Sequence, residues 1–136
     1  MVARTEAYVD TSALIAFVDG SDTFHSLFRN LFSSPPQLYT TSLVISEGHA
    51  WFLRRFDQSR ALSFLALIEQ MPMLKILSVG EKELTQAAQV LRRYSDQKLT
   101  MTDAVGLQMM SARKTRSCWS TDFHLSITGV PLAIHS

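Results

Sequence analysis

The chain has 136 residues, of which 46% are hydrophobic and 18% charged, and its 13 lysines and arginines against 12 acids leave a formal net charge of +1. These values exclude a disordered tail and a strongly basic protein held to nucleic acid by its overall charge. The single cysteine, Cys118, excludes an internal disulfide framework and a cysteine-based zinc site.

Short strands alternate with helices along the chain. The predicted elements, in order, are a strand over 7–9, helices over 11–18 and 23–32, a strand over 37–40, helices over 42–56 and 59–71, a strand over 74–79, helices over 81–94 and 103–113, and strands over 117–121 and 132–134. Ser42 and Thr102 are the predicted N-caps of the helices that follow them. The alternation predicts an α/β fold in which helices cover both faces of a parallel sheet.

The length predicts one domain over residues 1–136. No apolar stretch approaches the ~20 residues that a membrane span needs, and no targeting segment is visible at the N-terminus. We therefore expect a protein without membrane contact, and the single cysteine fits a cytoplasmic location.

Four acids occupy one kind of position in this pattern. Asp10 and Asp122 follow predicted strands, Asp103 opens a helix, and Glu47 lies about one turn into another helix. Ligands of open parallel sheets bind outside the carboxyl ends of the strands, so these carboxylates are expected to converge. Like charges held together repel unless cations bind between them, and oxygen ligands suit Mg²⁺ or Mn²⁺. Such sites are typical of metal-dependent nucleases.

Each acid also has an ordinary structural interpretation. Asp10 fits a helix cap, Glu47 an exposed helix acid, Asp103 a carboxylate that complements the helix dipole, and Asp122 a turn residue. Taken singly, none of the four is specific for a metal site. Their equivalent positions in an alternating fold favour the shared site.

Four short segments carry a family resemblance. They are Tyr8-Val9-Asp10-Thr11-Ser12-Ala13-Leu14, Thr41-Ser42-Leu43-Val44-Ile45-Ser46-Glu47, Leu99-Thr100-Met101-Thr102-Asp103-Ala104 and Ser120-Thr121-Asp122-Phe123-His124-Leu125. In this order and at this spacing they resemble the PIN domain, and specifically the VapC-like toxins of prokaryotic toxin–antitoxin pairs. The resemblance extends from Tyr8 to Ile134.

The resemblance implies a three-layer α/β/α sandwich with a central parallel sheet of four to five strands. It also implies a Mg²⁺- or Mn²⁺-dependent endoribonuclease that pairs with a small antitoxin and forms a homodimer. Asp10, Glu47, Asp103 and Asp122 match the family's catalytic, metal-binding acids, and Ser12 and Thr121 match its supporting hydroxyls. The alternatives are a PIN-like module that binds RNA or protein without cleavage, and a metal-dependent nuclease acting on DNA.

Other residues have open roles at this point. The basic clusters Arg54/Arg55/Arg60, Arg92/Arg93/Lys98 and Arg113/Lys114/Arg116 fit either RNA phosphate contacts or solvated helix ends, and for Arg92/Arg93 the sequence favours the helix end. Trp51 and Trp119 are predicted core or interface aromatics, with base stacking as the alternative. His124 is expected to orient its own loop, and Asp96 stays outside the acidic group.

Overall fold

The computed structural model describes residues 6–135. The strands are β1 (Glu6–Val9), β2 (Gln37–Thr41), β3 (Leu74–Leu77) and β4 (Cys118–Trp119). The helices are α1 (Thr11–Val18), α2 (His25–Ser33), α3 (Ser42–Arg55), α4 (Gln58–Glu69), α5 (Glu81–Arg93) and α6 (Met101–Ala112), and 3₁₀ turns cover Phe123–Ser126 and Ala133–His135. None of the helices within residues 6–135 combines the length and apolar character that a membrane crossing requires.

The described strands form one parallel sheet in the order β3-β2-β1-β4. From β1 the chain builds outward through β2 to β3 and then returns to place β4 on the other side of β1. The boundary between β1 and β4 is therefore the topological switch point of the sheet, where a crevice opens at the carboxyl ends of the strands. The predicted α/β architecture with helices flanking a parallel sheet is confirmed.

The last two predicted strands are shorter than expected. The strand predicted over 117–121 is limited to Cys118–Trp119 because the amides of Thr121 and Asp122 donate to the side chains of Ser12 and Ser120. The strand predicted over 132–134 is reduced to a single bridge between Cys118 and Leu132. A 3₁₀ turn begins directly afterwards at Ala133.

Two helix starts also differ from the prediction by one or two residues. Thr41, rather than Ser42, caps α3 by accepting a hydrogen bond from the Val44 amide. Thr100, rather than Thr102, caps α6, and its side chain and the Asp103 carboxylate form a reciprocal capping box. The spacing S/T-x-x-acid signals such a box, so the start of α6 at Met101 follows from its own sequence.

The main hydrophobic core joins the sheet to the helices, and the largest fully buried side chains are Tyr8, Tyr39, Phe28, Phe52 and Phe64. A smaller cluster of Ala87, Ala104 and Val105 packs α5 against α6. Small residues let these two helices approach closely. Because α6 carries Asp103, this packing helps to position that carboxylate.

Candidate active site

A cleft of about 350 Å³ opens at the carboxyl edge of the sheet. The structure brings all four predicted acids to it; the lining residues are Asp10, Thr11, Ser12, Ile15, Glu47, Trp51, Arg54, Thr100, Asp103 and Asp122. Asp10 directly follows β1, and Asp122 lies three residues after β4, so these two acids flank the switch point. Glu47 projects from α3 and Asp103 from the first turn of α6.

Asp10 is a buried carboxylate with only 4% of its surface exposed. It occupies the N-cap position of α1 but its side chain makes no capping hydrogen bond. Instead its Oδ2 accepts hydrogen bonds from the hydroxyls of Ser12, at 2.9 Å, and Ser120, at 3.0 Å. Burial raises the pKa of Asp10 to about 6, the two hydroxyls oppose that rise, and the charge of Asp103 adds to it.

Ser120 links the two acids at the switch point. Its hydroxyl donates to Asp10 and accepts from the Asp122 amide at 2.9 Å, and the side chain is fully buried. Thr121, the residue that the family resemblance selects here, contributes its backbone amide to Ser12 at 3.0 Å. The second hydroxyl that contacts Asp10 therefore comes from Ser120 rather than from Thr121.

Asp103 combines a structural contact with a place in the cleft. Its Oδ2 accepts from the Thr100 amide at 3.1 Å, which completes the capping box of α6. Burial raises the pKa of Asp103, the contacts with Thr100 oppose the change, and the charges of Asp122 and Glu47 add to it. The four carboxylates therefore influence one another electrostatically across the cleft.

The other two acids are more exposed. Oδ1 of Asp122 accepts from the His124 amide at 3.0 Å and lies 2.9 Å from Nδ1 of the His124 ring. His124 thus restrains the loop that carries Asp122. Within residues 6–135, the Glu47 carboxylate has no hydrogen bond or ion pair, which leaves its oxygens open to a ligand in the cleft.

The donor set of the cleft fits a hard divalent cation. It offers carboxylate oxygens, and the buried Thr11 hydroxyl in the cleft wall has no hydrogen-bond partner among the described residues. Within the same part of the chain, no three His, Cys, Asp or Glu side chains are already grouped to hold a metal ion. The carboxylates therefore converge on the cleft without forming a closed metal centre.

Five lining residues were not predicted as part of the site: Thr11, Ile15, Trp51, Arg54 and Thr100. Trp51 and Arg54 lie on α3 at i+4 and i+7 from Glu47, so they share its helix face and continue the cleft wall. The helical spacing from Glu47 was the available signal. Trp119, in contrast, is 4% exposed and packs against Phe28 and Phe32.

Other candidates lie elsewhere. Asp96 is exposed and does not line the cleft. Arg113 pairs with Glu6 at 2.6 Å and stacks over Tyr39, and since Glu6 begins β1, this pair lies at the end of the sheet opposite to Asp10. The basic cluster at 113–116 is thus separated from the carboxylates by the length of β1.

Comparison with known proteins identifies relatives of this chain. The family model described as the PIN domain matches residues 7–123. Ribonuclease VapC26 of Mycobacterium tuberculosis is 25% identical over 115 residues, which are 84% of each chain. The crystal structure of the M. tuberculosis toxin VapC20, described as cleaving the sarcin–ricin loop, is similar with a TM-score of 0.83 and 23% identity, covering 92% of this chain and 96% of that one. A toxin–antitoxin complex from Klebsiella pneumoniae matches with a TM-score of 0.63 and 16% identity over 93% of this chain and 95% of that one.

Proposed function

The chain belongs to the PIN-domain family, and we propose that it is a Mg²⁺- or Mn²⁺-dependent endoribonuclease that acts as the toxin of a toxin–antitoxin pair. The observation that carries this proposal is the cleft at the β1/β4 switch point, which Asp10, Glu47, Asp103 and Asp122 line together. Nucleases in the family generally require a divalent metal. The relative VapC26 bears the name of a ribonuclease, which supports RNA as the substrate.

In this function the four carboxylates hold the cation. When bound, the divalent ion supplies Lewis acidity toward the phosphodiester, activation of water, and stabilisation of the developing negative charge. Ser12 and Ser120 fix the orientation of the Asp10 carboxylate before any ligand arrives. His124 restrains Asp122 in the same way from the other side of the switch point.

The same carboxylates make cleavage depend on the cation. Four neighbouring negative charges repel an RNA phosphate, and burial of Asp10 strengthens the penalty for leaving its charge uncompensated. The protein alone therefore has no favourable place for the scissile phosphate. Neutralisation of the cleft is expected to be a condition of substrate binding as well as of chemistry.

The test is cleavage of RNA by purified Asp10→Asn and Asp103→Asn variants with Mg²⁺ or Mn²⁺. We expect both variants to lose at least about 100-fold in rate, since even the partners of metal ligands contribute 10–100-fold. Asp96→Asn is the matched control because Asp96 is exposed and lies outside the cleft. A wild-type rate for both cleft variants would disprove the assignment.

The substrate class is tested on the same protein. An RNA hairpin containing the sarcin–ricin loop, which the related toxin VapC20 is described as cleaving, serves as one substrate, and a DNA of equal sequence serves as the other. Faster cleavage of the RNA supports the proposal, and preferential cleavage of the DNA contradicts it. Failure to bind Mn²⁺ at millimolar concentration would instead indicate a binding module without catalysis.

The toxin role carries its own expectations. The similarity to a chain from a toxin–antitoxin complex supports a small antitoxin as the partner, and we also propose that the chain dimerises. Induced expression of the wild type should arrest growth of a bacterial host, while Asp10→Asn should not. Co-expression with a small protein encoded beside this chain should restore growth, and the absence of any growth defect would contradict the toxin role.

A further inference from the structure

We propose that Trp51 and Arg54 form a nucleotide-binding subsite beside the carboxylates, in which the Trp51 indole stacks on an unpaired base of the RNA and Arg54 binds an adjacent phosphate. This inference rests on the proposed ribonuclease function and deepens it, because it specifies how the substrate is held. It begins from the position of the two residues on α3.

Glu47, Trp51 and Arg54 follow one another along a single face of α3 at i, i+4 and i+7. With a rise of 1.5 Å per residue, Trp51 lies about 6 Å and Arg54 about 10 Å beyond Glu47 along the helix axis. All three residues line the same cleft. An RNA strand that extends from the carboxylates along this face of α3 would therefore contact the Trp51 ring first and the Arg54 guanidinium second.

Trp51 is only partly buried, although it is one of the largest apolar side chains of the protein. Its ring makes edge contacts with Phe52 at 4.9 Å and with Phe56 at 6.1 Å between centroids, and it also forms part of the cleft wall. These neighbours hold the ring in place at the cleft. A fixed, accessible aromatic ring is the feature that proteins use to stack on single-stranded bases.

Arg54 is exposed and is not committed to another group. Within residues 6–135, it has no salt bridge or hydrogen bond, not even to the carboxylates that line the same cleft. Its guanidinium is therefore available for an anion, and its planar set of donors matches phosphate geometry. RNA bound at the neighbouring carboxylate site would have a further phosphate at this position.

The charged surface continues past the cleft at the corner between α3 and α4. The guanidinium groups of Arg55 and Arg60 lie 5.7 and 5.0 Å from the ring centroid of Phe56, which is itself 41% exposed. The acid at this corner, Asp57, accepts the Arg60 amide as the cap of α4. Three cations interleaved with Trp51 and Phe56 are complementary to a single-stranded polyanion with exposed bases.

Tryptophan fluorescence can report on Trp51 alone. The only other tryptophan is Trp119, which is 4% exposed. In the Trp119→Phe variant, we expect a single-stranded RNA decamer to quench the emission of Trp51. Ca²⁺ replaces Mg²⁺ to prevent cleavage, and a gel checks that the RNA stays intact. Trp51→Phe, in which only Trp119 emits, should show no quenching. If Trp119→Phe is unstable, the difference in quenching between wild type and Trp51→Phe isolates the signal of Trp51. Unchanged emission while the labelled RNA binds, as measured by anisotropy, would overturn the proposal.

Substitutions test the two contacts separately. Trp51→Leu keeps an apolar side chain but removes stacking, and we expect RNA affinity to fall about tenfold, whereas Trp51→Phe should retain most of it. Arg54→Ala should also weaken binding about tenfold and reduce the slope of log affinity against log salt by about 0.7, the value for one phosphate contact on a single strand. Arg93→Ala is the charge-matched control, since Arg93 is exposed at the end of α5 and outside the cleft.

Failure of this inference is distinguishable from failure of the proposed function. If Trp51→Leu and Arg54→Ala bind and cleave RNA as wild type does, the subsite is wrong while metal-dependent cleavage stands. Phe123 is an exposed aromatic ring next to Asp122. If RNA affinity falls in Phe123→Ala but not in the Trp51 and Arg54 variants, the proposed subsite is also overturned. Loss of affinity in the α3 variants of a protein that never cleaves RNA would support the subsite and contradict the proposed enzyme.

Discussion

Asp10 is the residue whose surroundings are least favourable for an ordinary surface acid. Its carboxylate is buried beside other acids, and the contacts that stabilise its charge are hydroxyls rather than cations. Folding therefore places in the cleft a carboxyl group that is harder to ionise than it is in the unfolded chain, because burial raises its pKa to about 6. A carboxyl group with a pKa perturbed by burial and by neighbouring acids is typical of sites that bind a charged ligand.

This raised pKa predicts a pH-dependent stability difference between metal-free wild type and Asp10→Asn. Burial first of all raises the pKa of Asp10 from 3.8 to about 6. The stability of wild type relative to Asp10→Asn is therefore highest below pH ~4, and it falls as the pH rises through 6. The difference in unfolding free energy should shift by up to about 3 kcal/mol, at 1.36 kcal/mol per pKa unit. Urea unfolding at pH 4 and pH 7.5 measures it, and an equal difference at both values would contradict it.

Ser120 gives a second prediction at this scale. Ser120→Ala removes a hydrogen bond that lowers the pKa of Asp10 and leaves the Asp122 amide without its acceptor. We expect Mn²⁺ affinity to fall about 10–100-fold, and the pH at which affinity is half-maximal to rise, because protons compete longer for Asp10. Calorimetric titration between pH 5.5 and 8 tests both. Thr121→Ala should change less; the reverse order would show that Thr121 supports the site.

The residue scale also shows what could be read in advance. The acids could be placed because they follow strand ends or open helices, and such positions converge whatever the details of packing. Ser120 and Thr121 could not be distinguished, since the choice depends on how the chain turns after β4. Trp51 could be separated from Trp119 only through the surroundings of each ring.

At the scale of elements, the α3–α4 pair positions both Glu47 and the proposed subsite. Gly48 of α3 faces Phe64 of α4, and a Cβ at position 48 would lie 2.5 Å from Cζ and 2.8 Å from Cε2 of that ring. Phe64 cannot easily move, because it is 1% exposed and stacks on Phe52. The close approach of the two helices thus depends on the missing side chain of Gly48.

We therefore predict that Gly48→Ala destabilises the protein although alanine is the better helix former. The higher helix propensity of alanine should raise the free energy of unfolding by ~1 kcal/mol. The clash should outweigh this gain and lower the free energy of unfolding by about 1–3 kcal/mol in total. Gly20→Ala is the control, as nothing lies within 4 Å of the point that its Cβ would occupy. Chemical denaturation of the three proteins decides the matter; a Gly48→Ala protein as stable as wild type would mean that α4 adjusts without loss.

The elements themselves were predictable where a local signal was strong. The apolar face of 81–94 predicted α5 to within one residue, and α3 and α6 begin within two residues of their predicted starts although Thr41 and Thr100, rather than Ser42 and Thr102, are their caps. The short strands near the C-terminus were not predictable, since β4 has two residues and its pairing is decided by β1 rather than by its own pattern. Strand order depends on long-range packing in the same way.

At the scale of the whole molecule, charge is unevenly distributed. Leaving out the four cleft acids, eight acids remain against 13 bases, a balance of +5 that the net value of +1 conceals. The acids converge at the carboxyl edge of the sheet, while Arg113 and Glu6 pair at the opposite end. A moderately basic body around an acidic cleft favours approach of a polyanion once a cation occupies the centre.

This arrangement predicts that Mn²⁺ stabilises the whole fold. A ligand that binds only the folded state adds about 2.7 kcal/mol at 100 times its Kd, which for a chain of 136 residues corresponds to a rise in Tm of roughly 10 °C. The double variant Asp10→Asn/Asp103→Asn should lose this rise, while Asp96→Asn should keep it. The rise should also shrink below pH 6, since burial raises the pKa of Asp10 to about 6 and protons then occupy the ligand. Thermal melts with Mn²⁺ and with chelator test both effects, and an equal rise in the double variant would place the cation elsewhere.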